Sequence, residues 1–151
     1  MPRILVISDT HSRTGKNIPA VIIKEAQKSS CCLHCGDFTN YAVFEQLSHY
    51  TRVYGVCGNM DEQSIGQKLP LKQVLKFDEI SLGLIHGRGN PRNLIHYIGE
   101  QFKDEFEKID IFVFGHSHSP LDEEIDGKIY FNPGSCIESV CTPLCSYGIL
   151  E

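Results

Sequence analysis

Asp9 and His11 stand two residues apart, just after the apolar run Ile4-Leu5-Val6-Ile7. The arrangement returns along the chain. Gly36-Asp37 follows Cys31-Cys32-Leu33-His34, and Gly58-Asn59-Met60-Asp61 follows the run from Arg52 to Cys57. His86-Gly87 follows Ile80 to Ile85, and Gly115-His116-Ser117-His118 follows Ile111 to Phe114. Imidazole and carboxylate donors without thiolate suit Mn, Fe, Zn or Ni, whereas Mg or Ca prefer oxygen alone. Asp9, His11, Asp37, Asn59, His86, His116 and His118 are more donors than one tetrahedral ion uses. They suit two ions with one carboxylate bridging. In extended backbone, residues two apart face the same side. The spacing therefore predicts that Asp9 and His11 project together, as do His116 and His118. Each piece alone is ordinary, since Gly36-Asp37 and Gly58-Asn59 are also good turn dipeptides. The ordered set is the specific signal.

Five donor groups can meet only if the elements put them on one side of a sheet. Continuous β-branched-rich runs such as Ile4 to Ile7 and Ile111 to Phe114 read as strands buried on both faces. Helical stretches are predicted from Asn17 to Lys28, with Pro19 in the first turn, and from Tyr41 to His49 behind Asn40. Strand–helix–strand–helix–strand is the α/β pattern, and its sites lie outside the carboxyl ends of the strands. After Pro70 the pattern changes to a hairpin over Leu71 to Ile85 and then a helix from Pro91 to about Lys108. A second hairpin turns at Asp126-Gly127 and runs to Phe131, and Tyr147 to Leu150 closes the chain. Crossovers mixed with hairpins predict two mixed sheets packed together with helices outside.

The 151 residues are expected to form a single domain, 1–151, able to bury one core without disulfides. Nineteen acidic against fourteen basic residues give a net charge of −5, which argues against broad nucleic-acid binding or attachment to anionic membranes. No signal-like leader and no membrane-length apolar run is legible, and the seven cysteines are an odd number. The expectation is a soluble, cytoplasmic protein with free thiols. Cys32-x-x-Cys35 crosses a strand end, and Cys136, Cys141 and Cys145 are irregularly spaced, so buried small thiols are the default. A disulfide between Cys141 and Cys145 is an alternative after oxidation. His34 reads either as a buried strand-end histidine or as a group that orients a ligand, while His49 and His96 read as surface residues. Arg88 and Arg92 read either as solvated helix-start charges or as substrate contacts.

The ordered blocks Asp9-x-His11, Gly36-Asp37, Gly58-Asn59, His86 and Gly115-His116-x-His118 resemble those of the calcineurin-like metallophosphoesterases. Asn132-Pro133-Gly134-Ser135 looks like the loop after the last hairpin in small members, and the short chain resembles the compact bacterial and archaeal phosphodiesterase branch. The resemblance implies a four-layer α-β-β-α sandwich. It implies that Asp9, His11 and His118 hold one ion, that Asn59, His86 and His116 hold another, and that Asp37 bridges. Mn is favoured as the metal, with Ni, Fe, Zn or Mg as alternatives. The implied reaction is hydrolysis of a phosphodiester by in-line attack of a metal-bridging hydroxide, with Asn59 and Asp61 as catalytic candidates. Two ions would make the site locally cationic, so an acidic protein could still take a small phosphodiester or nucleotide-like substrate. Met60 stands where many members carry a histidine that protonates the leaving oxygen, which implies a preference for good leaving groups. Alternatives are a phosphomonoesterase or nucleotide hydrolase on the same site, or a non-catalytic scaffold for protein partners. Small relatives often assemble, so a homo-oligomer is a further expectation.

Overall fold

Alternate side chains of the short apolar strands are buried on opposite faces, and this two-sided burial builds the layers. The computed structural model describes residues 1–12, 14, 17–137 and 144–151. In chain order the elements are β1 (Ile4–Ile7), α1 (Ala20–Lys28), β2 (Cys31–His34), α2 (Ala42–Ser48), β3 (Arg52–Gly55) and α3 (Gln63–Gly66). They continue as β4 (Lys72–Phe77), β5 (Ile80–Ile85), α4 (Leu94–Gln101), β6 (Ile111–Val113), β7 (Leu121–Ile125), β8 (Lys128–Asn132) and β9 (Gly148–Leu150).

Leu5, Ile7 and Cys32 face Ile22 and Ala26 of α1 and Val43 and Leu47 of α2. Their neighbours Ile4, Val6, Cys31 and Leu33 face the other way, onto Leu82, Leu84, Ile111 and Val113. Phe112 then points away from that interface, onto Leu94, Ile98 and Phe102. The result is helix, sheet, sheet, helix, as the resemblance implies. The first sheet has the order β3-β2-β1-β9 and the second β4-β5-β6-β8-β7. β1, β2 and β3 run parallel with β9 antiparallel, and β5, β6 and β8 run parallel between the antiparallel edge strands β4 and β7. Both sheets are therefore mixed.

Two elements differ in extent from the sequence reading, and a third, α3, is absent from it. The third strand stops at Gly55, because the Cys57 N–H leaves the sheet and donates to the Pro70 carbonyl at 2.8 Å. The helix expected from Pro91 to Lys108 divides into single 3-10 turns at Pro91–Asn93 and Phe106–Lys108 around α4. Phe102 and Phe106 both pack on Phe112, with ring centroids 5.6 and 5.2 Å away, and this packing overrides helical periodicity. The short helix α3, anchored by the buried Ile65, carries too few residues to show a period.

Candidate metal centre

The five donor-bearing loops follow β1, β2, β3, β5 and β6, all at the carboxyl ends of parallel strands. Backbone hydrogen bonds stitch the loops together. The N–H groups of Asp9 and His11 donate to the carbonyls of Gly36 (3.1 Å) and Asp37 (3.0 Å). The Gly115 N–H donates to the His86 carbonyl at 3.0 Å in the second sheet. Across the two sheets, the His116 N–H donates to Asp9 Oδ2 at 3.2 Å.

The extended-backbone argument for the paired residues does not hold. Asp9, His11, Asp37, His116 and His118 all have positive φ, from 42° to 71°. Non-glycine residues rarely adopt this left-handed conformation, which costs roughly 1–2 kcal/mol each. The bent backbone has a consequence that strand geometry would not produce. His116 and His118 do not act as a pair but turn to different clusters.

In the first cluster, His118 Nε2 lies 3.1 Å and His11 Nε2 3.6 Å from Asp9 Oδ1, and the two Nε2 atoms are 3.4 Å apart. Asp9 is fully buried. Its Oδ2 accepts the Ser8 hydroxyl at 2.6 Å, whereas Oδ1 is buried and makes no hydrogen bond among the described residues. Asp37 repeats the pattern. Its Oδ1 accepts the Met60 N–H at 2.8 Å. Its Oδ2 stands 3.7 Å from His11 Nε2 and 3.2 Å from His86 Nε2. Each carboxylate is anchored through one oxygen and presents the other. Asp37 thus touches a histidine on either side, and Asp9 belongs to both donor groups, Asp9–His11–His118 and Asp9–Asp37–His86.

The second cluster is defined by its tautomers. His86 Nδ1 lies 2.7 Å from the Cys35 carbonyl, and His116 Nε2 lies 2.9 Å from the Gly89 carbonyl. A carbonyl only accepts, so these nitrogens carry the protons. In the neutral rings, His86 Nε2 and His116 Nδ1 are lone pairs, 2.9 and 3.1 Å from Asn59 Oδ1. Two imidazole lone pairs, an amide oxygen and Asp37 Oδ2 therefore face one another. With both rings neutral, such acceptors repel unless a cation lies among them. No lysine or arginine pairs with Asp9 or Asp37 among the described residues. Two buried carboxylates without a fixed cation fit divalent ions.

Local charges reinforce this electrostatic pattern. Burial alone would raise the Asp9 carboxyl, but His11, His118, His86 and the Ser8 hydroxyl outweigh it and hold it well below the usual range. The Asp9 carboxylate raises the pKa of His118. For His86, burial works downward and Asp37 and Asp9 upward, and the carboxylates prevail.

Several residues named in the sequence support the donors from outside the two groups. Asp61 belongs to neither donor group, and its carboxylate accepts the N–H groups of Gly58 (2.6 Å), Thr39 (2.7 Å) and Asp37 (3.2 Å). Ser135 Oγ, three residues beyond Asn132, donates to the Asp9 carbonyl at 3.0 Å. A Cβ at Gly58 would overlap Asp37, and one at Gly115 would overlap Ser8 Oγ, so close approach requires glycine at both. His34 is fully buried and stacks on Phe38 at 3.5 Å. Its Nδ1 accepts the Gly36 N–H, which leaves Nε2–H to donate to Thr10 Oγ1 at 3.1 Å. Burial depresses its pKa to about 3, so the ring is neutral. His49 and His96 are exposed. Cys31, Cys32, Cys35 and Cys136 are buried free thiols, and the suggested Cys141–Cys145 pair lies outside the described residues.

Histidine and carboxylate donors gathered where two mixed sheets end make a candidate metal centre. The chain belongs to the calcineurin-like phosphoesterase superfamily, whose domain model it matches over residues 2–151. It is 31% identical over 136 residues to a "Probable metallophosphoesterase" of Methanocaldococcus jannaschii, covering 86% of this chain and 66% of that protein. The chain thus spans just under two thirds of that relative's length. It is 24% identical over 165 residues to a phosphodiesterase of the same organism, covering 99% of this chain and 92% of the other. Vps29 from Entamoeba histolytica, solved in complex with zinc, superposes with a TM-score of 0.77 at 28% identity, over 99% of this chain and 85% of that one.

Proposed function

We propose that the protein is a dinuclear metal-dependent phosphoesterase that hydrolyses phosphodiesters by in-line displacement. Asp9, His11 and His118 would hold one divalent ion, Asn59, His86 and His116 the other, and Asp37 both, with Mn favoured. Two such ions would supply an activated water and neutralise charge gathering on the phosphoryl oxygens. The chain's own part is to aim the seven donors inward. The Cys35 and Gly89 carbonyls set the two imidazole tautomers, and Ser8 and the backbone N–H groups of Met60 and His116 anchor the carboxylates. The observation that carries the reading is the set of four converging acceptors, His86 Nε2, His116 Nδ1, Asn59 Oδ1 and Asp37 Oδ2. A binding scaffold has no need of that set, and its completeness supports the enzyme over the scaffold. The phosphodiesterase among the relatives supports diesters over monoesters. A cytoplasmic setting belongs to the same proposal, and among the described residues no helix is long and apolar enough to cross a membrane.

The test is an assay of chelated protein on chromogenic mono- and diesters, with Mn, Ni, Zn or Mg added back. Metal-restored hydrolysis of diesters ahead of monoesters is expected. No hydrolysis with any metal would transfer the reading to the scaffold.

A further inference from the structure

A cavity of about 300 Å³ opens beside the second donor cluster, with Asn59 and His86 on one wall and Leu71, Ile85, Arg88 and Tyr97 on the others. Its volume is that of a small-ligand pocket rather than of a bound ion or single water. A second cavity of about 280 Å³, lined by Arg92, Phe114 and Ser117, includes none of the seven donors. The first is therefore the one from which a bound group reaches the phosphoryl position. The structure thereby separates the two arginines.

The lining is selective. Tyr97 packs its ring against the core beneath α4, while its hydroxyl makes no hydrogen bond among the described residues. Arg88 is exposed between two glycines of positive φ, Gly87 (103°) and Gly89 (81°), and makes no ion pair among the described residues. Lys72, also on the rim, is already engaged by the Gln101 carbonyl at 2.6 Å and Glu105 at 3.2 Å. No carboxylate lines the cavity, which disfavours a cationic occupant. An aliphatic chain would use neither the tyrosine hydroxyl nor the guanidinium. A flat ring bearing polar edges, on an anionic ester, uses both.

We propose that this cavity binds the nucleoside of a nucleoside phosphodiester, with Tyr97 against the base and Arg88 facing the anionic side, as specificity-determining residues. This deepens the phosphodiesterase reading and rests on it for the reaction, though not for the binding. The Tyr97 ring and the alkyl side chains of Leu71 and Ile85 can contact a base without regard to the metal.

Saturation-transfer NMR on the chelated protein tests the binding directly, with thymidine 5′-monophosphate, ribose 5-phosphate and p-nitrophenyl phosphate as probes. Saturation of the thymine protons is expected, with binding weakened about 10-fold in Tyr97→Leu and in the exposed-site variant Arg88→Ala. On metal-loaded protein, thymidine 5′-p-nitrophenyl phosphate should be preferred to methyl p-nitrophenyl phosphate, through KM, and Tyr97→Leu should collapse that ratio. Unsaturated thymine protons, wild-type binding by both variants, or tighter binding of the aryl phosphate would overturn the assignment. Thymine saturation without hydrolysis of any diester would sink the enzyme reading and leave the cavity assignment standing.

Discussion

Asp37 and Asp61 clasp each other's loops. Asp61 Oδ2 accepts the Asp37 N–H at 3.2 Å, and Asp37 Oδ1 accepts the N–H of Met60, next to Asp61, at 2.8 Å. The loop after β2 is thereby locked to the loop after β3, and the presented oxygen of Asp37 is fixed from behind. This geometry favours a positioning role for Asp61. Asp61→Ala strands three backbone N–H groups, so a loss of about 1–3 kcal/mol in urea unfolding is expected. Metal affinity should fall about 10–100-fold by titration calorimetry. Asp61→Asn keeps the acceptor oxygen and should fall between. Unchanged metal affinity in Asp61→Ala would remove the positioning role.

Met60 contributes its backbone to the site, while its side chain is 60% exposed at the rim. Met60→His should therefore fold normally and add an acid near the leaving oxygen. A gain of about 10²-fold on alkyl-type leaving groups is expected, with little change on p-nitrophenolate, measured as kcat/KM across a leaving-group series. A flat response across that series would show that the missing imidazole does not limit the rate.

His34 should make the chelated protein acid-labile. Its pKa is depressed to about 3 in the fold against 6.5 when unfolded, so acidification protonates the unfolded chain first. Its contribution is complete above about pH 6.5 and is lost progressively as pH falls toward 3, by roughly 5 kcal/mol at most. The lowered Asp9 adds a loss in the same direction only below its ordinary range, near pH 4. The raised His86 and His118 lose stabilisation in the opposite direction, above pH 6.5. In the interval from pH 4 to 6.5 Glu25, lowered by Lys28 and Arg3, and Asp61, raised by burial, also contribute, in opposite directions, so His34 is read as the difference between wild type and its variant. Urea midpoints there should fall with acid in wild type and much less in His34→Gln. Equal slopes would contradict a neutral buried ring.

The thiols should sort by burial. Burial pushes Cys136 up to about 12, and raises Cys32 and Cys35 well above the thiol range. Cys145 is exposed. Alkylation of native protein at neutral pH, read by peptide mass spectrometry, should mark Cys145 and spare those three. Rapid labelling of Cys35 would mean that the β2 end opens readily.

The layered fold was legible because Ile4 to Ile7 and Ile111 to Val113 are apolar on both faces, which only a sheet covered twice can use. All seven donors were legible as residues at strand ends. Their division between two clusters came from the family resemblance and not from spacing, because a positive φ at His116 and His118 has no signature in histidine itself. Residue spacing suggested one shared side, and the bent backbone delivers two. The Asp61 clasp and the carbonyls that set the His86 and His116 tautomers were equally hidden, since backbone partners leave no trace in residue type. The helix after Pro91 failed for a different reason, as Phe102 and Phe106 follow the demands of Phe112 rather than of their own period.

Equilibrium Mn binding to chelated protein decides whether one chain holds two divalent ions at the shared Asp37 carboxylate. Two ions per chain are expected for wild type, falling to one or none in Asp37→Ala with the fold retained by circular dichroism. Fewer than two ions in wild type, or two retained in a folded Asp37→Ala, would contradict the shared site.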